Sequence, residues 1–119
     1  MRFMMIMIPT VSEENWVPNA EDIATMGKYN DELSKAGVLL ALDGLQPSAK
    51  GARVSFAGGK PSVTDGPFTE AKELIGGYWL IQARSKQEAV EWATRCPANE
   101  GDVIEVRQVF EMSDFDEGA

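Results

Sequence analysis

The chain has no histidine and a single cysteine, Cys96. Without imidazole there is no Ser-His-Asp or Cys-His nucleophile pair, no histidine-held metal, and no side chain that titrates near neutrality in its ordinary state. Any general acid or base has to be a carboxylate, Lys, Tyr or Cys with a shifted pKa. One thiol closes no disulfide within the chain, which suits a reducing compartment. Cys96 also precedes Pro97 at an expected helix end, where the dipole opposes a thiolate. Cations are scarce as well, 11 Lys and Arg against 19 Asp and Glu for a net charge of -8. That balance repels a phosphate backbone, so no nucleic acid is expected as a partner. Long apolar runs are missing, and none approaches the roughly 18 residues that span a bilayer. The apolar start, Met1 to Ile8, runs into Pro9 and the acids Glu13 and Glu14, so it reads as a first strand and not as a secretory leader. The expectation is a soluble cytoplasmic protein with no membrane partner. Asp and Glu alone would suit only a hard cation, and no calcium-loop spacing occurs, so neither metal nor cofactor is expected.

What is present points to one domain. With 119 residues, 44% hydrophobic and 25% charged, a core can form in a single unit, placed at residues 1–112 with a loose acidic tail over 113–119. Residues 2–8 form a strand covered on both faces, and Pro9 to Pro18 form a polar connector holding Trp16. Asn19 caps a helix with Ile23, Met26 and Leu33 on one stripe and Gly37 at its end. Val38 to Leu42 is a second strand, which Asp43-Gly44 turns into Leu45-Gln46-Pro47-Ser48. Val54, Phe56 and Val63 flank Gly58-Gly59, a hairpin signal, and Pro61 puts that hairpin at an edge. Gly77 to Ala83 is a further strand. Ser85-Lys86-Gln87-Glu88 is a capping box opening a second helix, which Pro97 stops. Val103 to Phe110 alternates Ile104, Val106 and Phe110 with Glu105 and Arg107, a strand with one buried face. The order predicts an α+β fold, a ferredoxin-like βαββαβ sandwich with an inserted β-hairpin. Two helices cover one face of four strands, so the other face calls for a partner, most simply a second copy of the chain in a homodimer joined through the sheet.

The densest chemistry lies between Asp65 and Tyr78. Asp65-Gly66-Pro67-Phe68 is a tight-turn sequence, followed by Glu70, Lys72 and Glu73 and the pair Gly76-Gly77. As chemistry, Asp65 is a candidate general acid or base, tuned upward by neighbouring carboxylates and downward by Lys72. As structure, the aspartate accepts turn amides, Pro67 fixes φ, Phe68 anchors the loop and the glycine pair ends a helical turn. Arg107 offers a guanidinium fork to an anion or to a motif carboxylate, or simply faces solvent opposite Glu105. Met26, Tyr29, Ser48 and Tyr78 can line a small cleft, or belong to ordinary core.

These residues resemble the DGPF motif of the YCII-related (YciI-like) family. Gly37-Val38-Leu39-Leu40, Gly44-Leu45-Gln46-Pro47-Ser48 and Glu105-Val106-Arg107 extend the resemblance from residue 2 to about residue 110. The resemblance implies a member of the dimeric α/β barrel superfamily, a homodimer. It also implies a link to extracytoplasmic-function sigma factors, and hence a regulatory role. The catalytic pair proposed for the family is a histidine with the aspartate of this turn. The aspartate falls on Asp65; the histidine has no counterpart. Two functions stay open: a module binding a small polar ligand near Asp65, with Glu70, Lys72, Arg107, Tyr78 and Ser48 around it, or an isomerase- or lyase-like enzyme using Asp65 without a histidine.

Overall fold

A computed structural model of the chain describes residues 1–10, 19–66 and 74–115. Among them are six strands and two α-helices: β1 (Arg2–Ile8), α1 (Ala20–Lys35), β2 (Leu39–Gly44), β3 (Ala52–Ala57), β4 (Lys60–Asp65), β5 (Gly77–Gln82), α2 (Lys86–Thr94) and β6 (Val103–Gln108). Four strands form one antiparallel sheet in the order β2-β5-β1-β6, and β3 with β4 forms a separate two-stranded sheet. This is the ferredoxin-like α+β arrangement expected, with the hairpin set apart as an arm.

Local sequence explains the helix ends. Asn19 accepts the backbone N–H of Asp22 at 2.8 Å on its side-chain oxygen. At the other end of α1, Gly37 at φ 74° donates to the Ser34 carbonyl while Val38 donates to that of Leu33, and this double bond pattern closes the helix. Ser85 caps α2 by accepting the N–H of Glu88 at 3.1 Å. Glu88 in turn accepts the N–H of Arg84, one residue before the cap, at 3.4 Å. The capping box is therefore present with its return bond displaced.

The core sits between the helices and one face of the sheet. Phe3 and Met5 of β1, Trp79 and Ile81 of β5, Tyr29 and Leu33 of α1 and Ala89 of α2 are buried there, with Ile104 and Val106 of β6 packed against them. Tyr29 and Trp79 meet edge to face at 5.8 Å. Trp79 donates its indole N–H to Asn30 at 2.8 Å, and the Tyr29 hydroxyl donates to the Trp92 carbonyl at 2.7 Å. Both polar tips in this aromatic pair are thereby satisfied.

Alternation sends Met4, Ile6, Leu80 and Tyr78 to the opposite face. Met4 stands between Leu80 and Arg107, and Ile6 between Tyr78 and Glu105. Both described α-helices lie on the Phe3 side, so among the described residues no α-helix covers this second apolar surface.

Three details depart from the sequence reading. Asp43 and Gly44 are the last residues of β2, opposite Tyr78 and Gly77, not a turn beyond it. Phe110 keeps the phase of the buried β6 residues but lies past the strand end and is 73% exposed. The start of the acidic tail is ordered, since Met112–Phe115 form a 3-10 turn in which Glu111 donates its N–H to Asp114. Trp16, Glu70 and Lys72 lie outside the described residues.

Candidate functional site

At one end of the sheet, on its helix side, the ends of β1 and β2 and the start of β5 leave a cleft of about 480 Å³. That volume suits a small molecule. Ile23, Met26 and Gly27 of α1 form one wall, Met7, Leu42 and Trp79 the sheet side, and Pro47, Pro97 and Ala98 close the rim. Gly77 lets the strands meet there, because a β-carbon on it would stand 2.8 Å from the Asp43 carbonyl oxygen. Gly76 ties the same region together, donating to the Met7 carbonyl and accepting the N–H of Leu45. The glycine pair thus serves an extended crossing of chains, and the helical turn expected before it lies outside the described residues.

The polar groups in the wall are mostly engaged. Asn30 holds the Trp79 indole. Asp43 accepts the Tyr78 hydroxyl at 3.0 Å, and that carboxylate raises the Tyr78 pKa above its ordinary value, first through the hydrogen bond and then through charge. Asp102 accepts the Thr10 N–H and hydroxyl on one oxygen and the Asn99 N–H on the other. It thereby fastens the α2–β6 connection to the end of β1. Asp22, in the first turn of α1, is exposed at the mouth. The surface is one that accepts an apolar body with one or two hydrogen-bonding groups.

Of the residues anticipated around a site, Met26 lines the cleft, and Tyr78 borders it at the start of β5 with its side chain alternating to the other face of the sheet. Tyr29 is instead core. Asp65 is exposed at the last position of β4, opposite Ala52. Ser48 opens a short 3-10 turn, and the two segments meet, since Gly66 donates its N–H to Gly51 at 3.0 Å just beyond that turn. Arg107 lies on β6, exposed, with a Glu105 carboxylate oxygen 4.0 Å from its Nε. Ser48, Asp65 and Arg107 are not among the cleft residues. Ile23, Leu42, Asp43 and Pro97 are, and no local pattern marks them, because they converge only through the sheet order. Cys96 is half-buried, its thiol pushed up to about 11 by burial and, less, by Asp102. Among the described residues no three potential ligands gather to hold a metal, and no helix is long and apolar enough to cross a membrane.

A four-stranded antiparallel sheet with two helices on one face, a cleft at the strand ends and an inserted arm place the chain among small ferredoxin-like α+β proteins. The residue pattern of the YCII-related domain family matches residues 1–113, and the chain belongs to that family. A similar protein, from Rhizobium meliloti (strain 1021), is 37% identical over 59 residues and is uncharacterized. The match spans 50% of this chain and 48% of that protein, about half the length of each.

Proposed function

We propose that the chain is a small-molecule-binding module that works as a homodimer, with the ligand in the cleft between α1 and the ends of β2 and β5. The observation that carries the reading is the cleft itself, about 480 Å³ with Ile23, Met26, Leu42 and Trp79 in its wall and its inward amide already bonded. It favours a largely apolar ligand over the polar one that the residues around Asp65 suggested. An acid-base role for Asp65 draws no support from its exposed place at the end of β4, outside the cleft lining. The homodimer is supported by the apolar strip of Met4, Ile6 and Leu80, half-buried on the face of the sheet away from both described α-helices. Glu105 and Arg107 flank it, and these opposite charges make the face self-complementary about a two-fold axis. A regulatory role with sigma factors is carried by family likeness alone.

Gly27→Leu tests the cleft. A β-carbon at Gly27 meets nothing within 4 Å, and replacing a mid-helix glycine gains about 0.5–1 kcal/mol of helix propensity. The variant should fold at least as well as the parent while its side chain fills the space. Ligand-observed NMR with uncharged aromatic and aliphatic fragments should show binding to the parent and its loss in Gly27→Leu. A parent that binds none of them, or a variant that binds equally well, refutes the reading.

A further inference from the structure

One polar group in the cleft is bonded at one end only. Ile23, Met26, Gly27 and Asn30 share a stripe of α1, three or four residues apart, and all four line the cleft. Opposite them Trp79 is 6% exposed and is held edge to face by Tyr29, so its indole N–H has a fixed direction. An indole nitrogen only donates, and the Asn30 atom 2.8 Å from it is therefore the amide oxygen. That is the one bond this side chain makes among the described residues, and it leaves the amide nitrogen turned away from Trp79. Asn30 is half-buried, and no buried side-chain nitrogen or oxygen among the described residues stands without a partner. The unbonded nitrogen is thus one that opens to the cleft. Gly27, three residues earlier on the same stripe, has no side chain to cover it.

The charge around this donor has one sign. Asp22, Asp43 and Asp102 border the cleft, and among the described residues no lysine or arginine does. A carboxylate or phosphate on a ligand would be repelled there, whereas a neutral oxygen would not. Asp43, Asp102 and the Asn30 oxygen already accept bonds, so a ligand that brings an acceptor without a proton of its own suits the site best. We infer that the cleft takes a neutral carbonyl compound, a ketone or carboxamide with an apolar body, whose oxygen accepts a hydrogen bond from the Asn30 amide nitrogen. The inference deepens the cleft reading above and rests on it. Burial among Ile23, Met26 and Leu42 attracts without direction, and a donor of fixed orientation in such a wall decides which end of the ligand enters first. A hydrocarbon of the same shape would leave the nitrogen dry and unpaired, which is the costlier state of a polar group.

Acetophenone and α-methylstyrene have the same shape and differ in an oxygen against a methylene group, and NMR titration of the labelled full chain gives a dissociation constant for each. The parent should bind acetophenone about fivefold to tenfold more tightly than the hydrocarbon. Benzoate at neutral pH should bind at least about tenfold more weakly than acetophenone. Asn30→Asp is the informative variant, because its carboxylate still accepts the Trp79 indole and offers no donor. In it the preference for acetophenone should vanish or reverse. Equal binding of the two neutral fragments by the parent, benzoate binding as tight as that of acetophenone, or a preference unchanged in Asn30→Asp overturns the inference and leaves the cleft reading standing. A variant that weakens both fragments alike overturns it too, since Asn30 then serves the fold and not the ligand. If the parent binds neither neutral fragment, the cleft reading fails and the carbonyl contact with it.

Discussion

Gly66 sits so close to Ala49 that a β-carbon on it would stand 2.6 Å from the Ala49 carbonyl oxygen, and as close to that of Ser48. Two sequence pieces distant along the chain, Asp65-Gly66 and Pro47-Ser48-Ala49, therefore meet backbone to backbone at the base of the arm. The Gly66 N–H also donates to Gly51. The glycine of the motif has a structural reason to be there that requires no reaction.

Substituting Gly66 should accordingly be costly where substituting a roomy glycine is not. Gly66→Ala pushes a methyl group into backbone that cannot swing aside, and a loss of about 1–3 kcal/mol is expected from overpacking. Gly44→Ala, whose β-carbon meets nothing within 4 Å, should stay within about 0.5 kcal/mol of the parent. Urea unfolding midpoints at constant slope compare the two; equal stability would remove the packing argument.

Alkaline pH should destabilise the fold through Tyr29. Burial, more than the nearby Cys96, raises its phenol above the ordinary value of 10.0. The folded state thus holds the proton after the unfolded state has lost it, so this contribution is whole below about pH 10 and declines as pH rises toward the higher folded value. Cys96 behaves alike from a lower starting point, 9.0 against about 11. Tyr29→Phe should cost about 0.5–1.5 kcal/mol at neutral pH through the lost bond to Trp92, yet show a shallower decline above pH 10. Thermal midpoints read across that range decide it, and parallel curves for parent and variant would count against it.

Acid should loosen the C-terminal segment first. Arg2 grips Glu111 with two bonds, Nε to Oε1 at 2.7 Å and a terminal nitrogen to Oε2 at 3.1 Å. That hydrogen bonding holds the Glu111 carboxyl below its ordinary value of 4.5. A depressed carboxyl stabilises above its unfolded pKa, and the effect fades as pH falls through the folded one. Hydrogen exchange at Val109, whose N–H donates to the Arg2 carbonyl, should accelerate relative to the core amides as pH drops below 4.5. Glu111→Gln should exchange faster already at neutral pH and lose that acid dependence. The pair is exposed, so global stability should change little.

Much of the fold is legible in residue order because its signals are local. Asn19, Gly37 and Ser85 each act within four residues, through a cap or a positive φ, and the alternation in β1, β5 and β6 needs only the strand period. Phe110 escaped this logic because alternation does not say where a strand stops. The cleft was less legible. Met26 and, at the border, Tyr78 could be picked out, but Ile23, Leu42 and Pro97 carry no mark of their own, and Asp65 drew notice for a turn whose glycine proves to be a packing contact.

Composition and order alone account for the absence of imidazole chemistry, the acidic charge, the sequence of strands and helices and the membership of the YCII-related family, since each depends on residue type or on neighbours a few positions apart. Tertiary structure alone decided which side chains meet around the cleft, why Gly66 and Gly77 must lack a β-carbon, and that the arm and the C-terminal aromatics stay open to solvent. Those facts depend on contacts between segments remote in the chain, and such contacts exist only once the sheet has set its strand order.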